Sequence, residues 1–169
     1  MRKSGILLPV SSLPSAYGIG CFSGEAYEFI DKLKAAGQSY WQILPLGPTS
    51  YGDSPYQSFS SFAGNPYFIS LDDLVEDGYL TREDCISCDF GDNEEYVDYE
   101  KLYKNRFLLL RKAYENSHIQ DNGEFQSFVL ENTGSSPQGC SSPVTVPPKY
   151  FCPSIHRPAR FEPSLAMVS

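Results

Sequence analysis

Residues 40–68 read YWQILPLGPTSYGDSPYQSFSSFAGNPYF, a short apolar run feeding a long loop. Eight of these 29 residues are aromatic (Tyr40, Trp41, Tyr51, Tyr56, Phe59, Phe62, Tyr67 and Phe68), with small hydroxyls, amides and one carboxylate, Asp53, between them. Glycines and prolines at 47, 48, 52, 55, 64 and 66 impose sharp turns, which hold the rings on a firm surface. The mixture suits carbohydrate: a pyranose stacks its apolar face on an aromatic ring and needs directional hydrogen-bond partners around its rim. It also suits a loop packed by its own aromatics, since buried rings are commoner than binding platforms.

Working outward, Tyr40 to Leu46 reads as a buried strand, and so does Ser4 to Val10, an apolar run closed by Pro9 and a Ser/Pro turn. Between them Ser23 is placed to cap a helix from Gly24 to Ala36, whose Ala26, Phe29, Ile30 and Leu33 form one stripe before Gly37 stops it. Strand, loop, helix, strand requires parallel pairing and a right-handed crossover, so the chain opens as an α/β fold. Gly18-Ile-Gly20 lacks the third glycine and the following acid of a dinucleotide fingerprint, and is read as turn chemistry.

The string from Leu44 to Ile69, LPLGPTSYGDSPYQSFSSFAGNPYFI, together with GILLPVSSLP at 5–14 and YGIG at 17–20, resembles the amylomaltase, or disproportionating enzyme, family of 4-α-glucanotransferases. Several motifs in the same order are far more specific than one pattern. The resemblance covers residues 2 to 134. It implies the N-terminal part of a (β/α)8 (TIM) barrel of the α-amylase-like kind, incomplete here, whose functional loops follow the C-terminal ends of the strands. It implies retaining transfer of α-1,4-glucan segments between maltodextrins or starch-derived glucans, without metal or organic cofactor.

By the same resemblance, Ser54 and Tyr56 belong to the Ser-Pro-Tyr element that lines the donor-sugar subsite, with the tyrosine stacking on the sugar. Tyr51 matches an aromatic that forms a further glucan platform outside the cleft, and Tyr99 is a second contact for long glucans. The resemblance places the catalytic carboxylates on later barrel strands, so none is assigned here and Asp53 is not taken as one. Asn65 is read as a turn residue and Trp41 as core.

Downstream, Ser70 with Asp73 and Thr81 with Asp84 have capping-box spacing. Val97 to Asn116 carries Tyr99, Leu102, Tyr103, Leu110, Ala113 and Tyr114 at helical intervals, and Glu124 to Asn132 suggests one more amphipathic helix. His118 falls at a fraying helix end with no nucleophile arrangement around it, and is read as a surface residue. Cys85-Ile-Ser-Cys88 has the spacing of half a zinc site, but no second close pair completes it.

The net charge of -8 argues against nucleic acid and anionic membrane as partners, and is indifferent to a neutral glucan. Five cysteines, an odd number, with no signal core or membrane-length segment, read as a cytoplasmic protein. The segment 135–169 holds seven of the 13 prolines and carries +2, leaving -10 for the rest, and no helical or alternating period runs through it. It is read as an unrelated, disordered Pro/Ser-rich tail, the product of a frameshift or gene-model error, with a genuine linker as the alternative. On this reading residues 1–134 form an inactive fragment of a glucanotransferase. A non-catalytic glucan- or partner-binding module is the second reading.

Overall fold

The computed structural model describes residues 2–49, 53–58, 63–93, 95–132 and 166–167. Strand β1 (Gly5–Leu7), helix α1 (Gly24–Ala35) and strand β2 (Tyr40–Gln42) open the chain. The strands run parallel, with Gly5 opposite Tyr40, Ile6 opposite Trp41 and Leu7 opposite Gln42. The α/β opening expected from periodicity is therefore present. Helix α1 ends at Ala35, with Ala36 as its C-cap and then Gly37 at φ 72°, the left-handed conformation in which a glycine meets no Cβ penalty.

Three local expectations are corrected. β1 is three residues long rather than Ser4–Val10, and it is exposed throughout, Ile6 at 41% and Leu7 at 57%. β2 ends at Gln42, and of its residues only Trp41 is buried. The reason is geometric: β1 forms the edge of the sheet, and α1 covers one face of it, leaving Leu7 and Gln42 on the other face to solvent. Thirdly, Ser23 sits at the N-cap of α1 without capping it; its hydroxyl donates to the Glu25 carboxylate, a charged acceptor that outcompetes the backbone arrangement.

Two hydrophobic clusters hold the molecule. The smaller joins α1 to the sheet through Ala26, Leu33, Trp41 and Ile43, with Val10, Leu13 and Phe68 closing it. Trp41 donates its indole N–H to the Leu8 carbonyl at 2.9 Å and takes the Phe29 ring edge-on at 5.0 Å. The larger cluster gathers Tyr17 and Ile19 with residues of helices α2 (Leu71–Glu76), α3 (Arg82–Ile86) and α4 (Tyr99–Ser117). Cys85 is buried in it, and Cys88 lies just past α3.

Capping at α2 and α3 follows the sequence signals, unlike that at α1. Thr81 and Asp84 form a reciprocal box at α3, whereas Ser70 accepts from the Asp73 amide but gives its own hydroxyl to the Asp73 carboxylate. Asp98 caps α4 by accepting from the Lys101 amide at 3.1 Å. Helix α4 buries Leu102, Arg106, Leu109, Leu110 and Ala113, and ends at the exposed His118 in a left-handed conformation, φ 48°. Tyr103, expected on the apolar stripe, is 67% exposed. Helix α5 (Gly123–Asn132) follows as expected. A two-residue strand β3 (Ala166–Met167) pairs antiparallel with β2, Met167 opposite Tyr40. Among the described residues no helix is long and apolar enough to cross a membrane.

Candidate functional site

The loop leaving β2 is tied at its base by the Asn65 amide donating to the Leu46 carbonyl at 2.8 Å. Thr49 and Ser58 bridge antiparallel across it and tie two points of the loop together. At its tip the Gln57 amide donates to the Ser54 carbonyl at 3.0 Å and the Tyr56 amide leans toward the Ser54 hydroxyl at 3.4 Å. Pro55 stiffens the turn between them, and the Tyr56 side chain is left 72% exposed. An aromatic ring presented on a braced turn has little freedom to lose on stacking.

Asn65 is 3% exposed, and its side-chain oxygen accepts from the Tyr67 amide at 3.0 Å. It caps the 3-10 turn Pro66–Phe68, the turn-fixing role read from its place between Gly64 and Pro66. Trp41, at 2% exposure, is core, as expected.

A cleft lies beneath the loop tip, walled by Ser11, Ile19, Asp53, Pro55, Phe68 and Tyr99 among others. Its enclosed space is about 30 Å³, the room of roughly one water. A pyranose does not enter it. A sugar can only lie across the mouth; Tyr56 is not among the lining residues but follows Pro55, which is.

Tyr99 borders this cleft from the first turn of α4 while its ring packs 6.0 Å from that of Tyr67. Tyr67 continues onto Phe107 at 5.6 Å, and Phe107 onto Tyr103 at 5.3 Å, so one chain of rings leads from the cleft to the exposed face of α4. Burial pushes the Tyr67 phenol up to about 12, reinforced by the nearby Asp53 carboxylate; burial and Asp53 raise Tyr99 in the same direction. Asp53 itself adopts φ 55°, a left-handed position that aspartate tolerates. Both phenols thus stay neutral hydrogen-bonding groups at ordinary pH, and a carboxylate acceptor stands beside them.

The structure therefore brings Tyr99 and Asp53 to one cleft and places Ser54 and Tyr56 together on one turn, neither of them lining that cleft. Tyr51 lies outside the described residues. Two residues escaped the reading of the sequence. Tyr103 is an exposed ring braced on Phe107, where helical spacing alone had put it among apolar positions. Arg106 is wholly buried, although a charged residue on a helix is ordinarily placed in solvent.

Residues 8–137 match the family model described as 4-alpha-glucanotransferase. Over 120 residues the chain is 56% identical to a 4-alpha-glucanotransferase of Clostridium butyricum, covering 71% of this chain and 25% of the relative. It is 51% identical over 131 residues to one of Thermus thermophilus, covering 75% and 25%. Among solved structures, an amylomaltase from Streptococcus agalactiae in complex with acarbose superposes with a TM-score of 0.72 at 42% identity, over 78% of this chain and 27% of that one. The chain thus spans about a quarter of the length of these relatives. Since the matched stretch covers most of the chain and takes in α1, β2, the aromatic loop and helices α2 to α5, the chain belongs to the 4-α-glucanotransferase family.

Proposed function

We propose that these residues form the glucan-contacting N-terminal part of a 4-α-glucanotransferase with an α-amylase-like (β/α)8 barrel. In the reaction one carboxylate attacks the anomeric carbon to form a glycosyl-enzyme while a carboxylic acid protonates the departing oxygen; a sugar 4-hydroxyl, deprotonated by that same group, then takes the glucan segment. Neither carboxylate is assigned among these residues, whose part in the reaction is to contact the α-1,4-glucan. Tyr56 stacks on a glucose ring, Ser54 orients a hydroxyl, Tyr99 borders the cleft below, and Tyr51 with Tyr103 supplies aromatic surface for a longer glucan. No metal or organic cofactor takes part, and Cys21, Cys85 and Cys88, all free thiols, suit a cytoplasmic setting.

The observation that carries this reading is the exposed Tyr56 ring on a braced turn whose Asp53 and Pro55 line one cleft with Tyr99. Titration calorimetry with maltoheptaose tests it. Tyr56→Ala is expected to weaken binding about tenfold, the scale of one lost aromatic stack, and unchanged affinity would refute the assignment. The exposed Ile6 and Leu7 on the sheet edge favour a second reading, a partner-binding module, which predicts association with another chain and no response to maltoheptaose.

A further inference from the structure

We propose that Arg106 is a positioning residue for the glucan cleft, setting the spacing of two of its walls from inside the core. It rests on the glucan-binding reading above. Arg106 has no exposed surface and, among the described residues, no carboxylate partner. Its guanidinium donates through Nη2 to the Ile69 carbonyl at 2.6 Å and through Nη1 to the Tyr17 carbonyl at 3.4 Å, while Nε has no hydrogen-bond partner.

Those two carbonyls do not line the cleft themselves but lie on the segments that run into its walls. Ile19 lies two residues beyond Tyr17, and Phe68 immediately precedes Ile69; both line the cleft. The two segments touch directly through the Phe22 amide, which donates to the Phe68 carbonyl at 3.3 Å. Arg106 therefore makes a second tie across the same pair of segments. Tyr99 also lies on α4, seven residues earlier and so on the same side of the helix, and it forms a further wall. One helix thus supplies a wall directly and holds two others by a single planar fork.

A carboxylate-free buried arginine makes physical sense only in such a place. Irregular segments have no ladder to absorb their carbonyls, and a buried carbonyl without a donor is costly. Methionine fills the volume but offers no donor. Lysine offers a compact point charge that reaches one carbonyl well, whereas the guanidinium spans two at fixed separation. The guanidinium also meets the Cys21 thiol, which lies on the same segment as Tyr17 and Ile19, and only Nε is left without a partner.

The test uses the full 169-residue chain with Arg106→Met, Arg106→Lys and, as a control elsewhere in the same core, Leu110→Ala. Thermal unfolding is recorded first, and maltoheptaose affinity is then measured at a temperature where all four proteins are folded. Arg106→Met is expected to bind about tenfold more weakly, the scale of one lost sugar contact, with Arg106→Lys intermediate and Leu110→Ala within about twofold of the parent despite comparable destabilisation. Hydrogen exchange at the Phe22 amide should accelerate in Arg106→Met and not in Leu110→Ala. Equal glucan affinity and equal Phe22 protection in the two variants would overturn the proposal. If Arg106→Met does not fold, Arg106→Lys decides the matter by the same two readouts. Should the parent chain itself bind no maltoheptaose, the glucan reading fails, and Phe22 exchange alone decides whether Arg106 holds the walls together.

Discussion

Replacing Trp41 by phenylalanine tests how the strand pair is locked. The indole is 2% exposed, donates to the Leu8 carbonyl and meets Phe29 edge-on, so it joins the end of β1, the middle of β2 and the inner face of α1. Trp41→Phe removes the donor and leaves the Leu8 carbonyl short of a partner, a loss of about 1–3 kcal/mol. The smaller ring leaves a void whose cost, with partial relaxation, is about 1 kcal/mol. Some of the ring contact with Phe29 survives, so the expected total is about 2–4 kcal/mol, a large part of the ~5–15 kcal/mol typical of a domain.

The measurement is urea unfolding followed by far-ultraviolet circular dichroism, because the substitution deletes the chain's single tryptophan and with it the fluorescence signal. A double-mutant cycle of Trp41→Leu with Phe29→Leu then isolates the ring pair, with an expected coupling of about 0.5–1.5 kcal/mol. A loss below about 1 kcal/mol for Trp41→Phe, less than a single buried unpaired carbonyl should cost, would show that the indole does not lock the two strands together.

Gly20→Ala should abolish folding, seen as loss of soluble protein and of cooperative melting, because a methyl there would lie 2.2 Å from the Val10 carbonyl oxygen and 2.7 Å from the Leu13 amide nitrogen, both backbone. Lys112 and the Thr81 amide and hydroxyl hold the Asp84 carboxyl below the ordinary 3.8. Its folded value lies below the unfolded one, so its contribution is present above that ordinary value and is lost as pH falls through the folded value; Asp84→Asn should flatten the acid side of the melting profile. Burial and the hydrogen bond to Asp72 push Tyr17 up to about 12, as burial and Asp53 do for Tyr67. Here the folded values exceed the unfolded 10.0, so stability is intact below pH 10 and is lost as pH rises toward 12. Ultraviolet titration of the phenols should show two that ionise only with unfolding.

The parts of this architecture that were legible in the sequence are those decided locally. The stripe Ala26, Phe29, Ile30 and Leu33 located α1, Gly37 its end, and Thr81 with Asp84 the start of α3. The aromatic loop announced itself by composition and by resemblance, and its turn chemistry at Ser54–Gln57 and Asn65 is of the kind its prolines and glycines suggest. What was hidden depends on partners far along the chain. An apolar run such as Ile6-Leu7 reads as buried, but whether a second layer covers it is a matter of tertiary surroundings. Arg106 was invisible for the complementary reason: its acceptors are backbone carbonyls, which any sequence possesses and no residue type marks.

The reach of the Arg106 tie also bears on how the polypeptide acquires its shape during synthesis. Its contact with Tyr17 closes a separation of 89 residues, and the larger cluster cannot be completed until Ala113 has been made. The smaller cluster needs nothing beyond Phe68. Translation proceeds at about 5–20 residues per second, so the strand pair with α1 has seconds in which to assemble before α4 emerges. Throughout that interval the segments carrying Tyr17 and Ile69 remain without the guanidinium, and high contact order makes its arrival a late event. A nascent chain halted between residues 70 and 100 would hold a docked α1 beneath an unformed cleft, the state in which a chaperone would meet it.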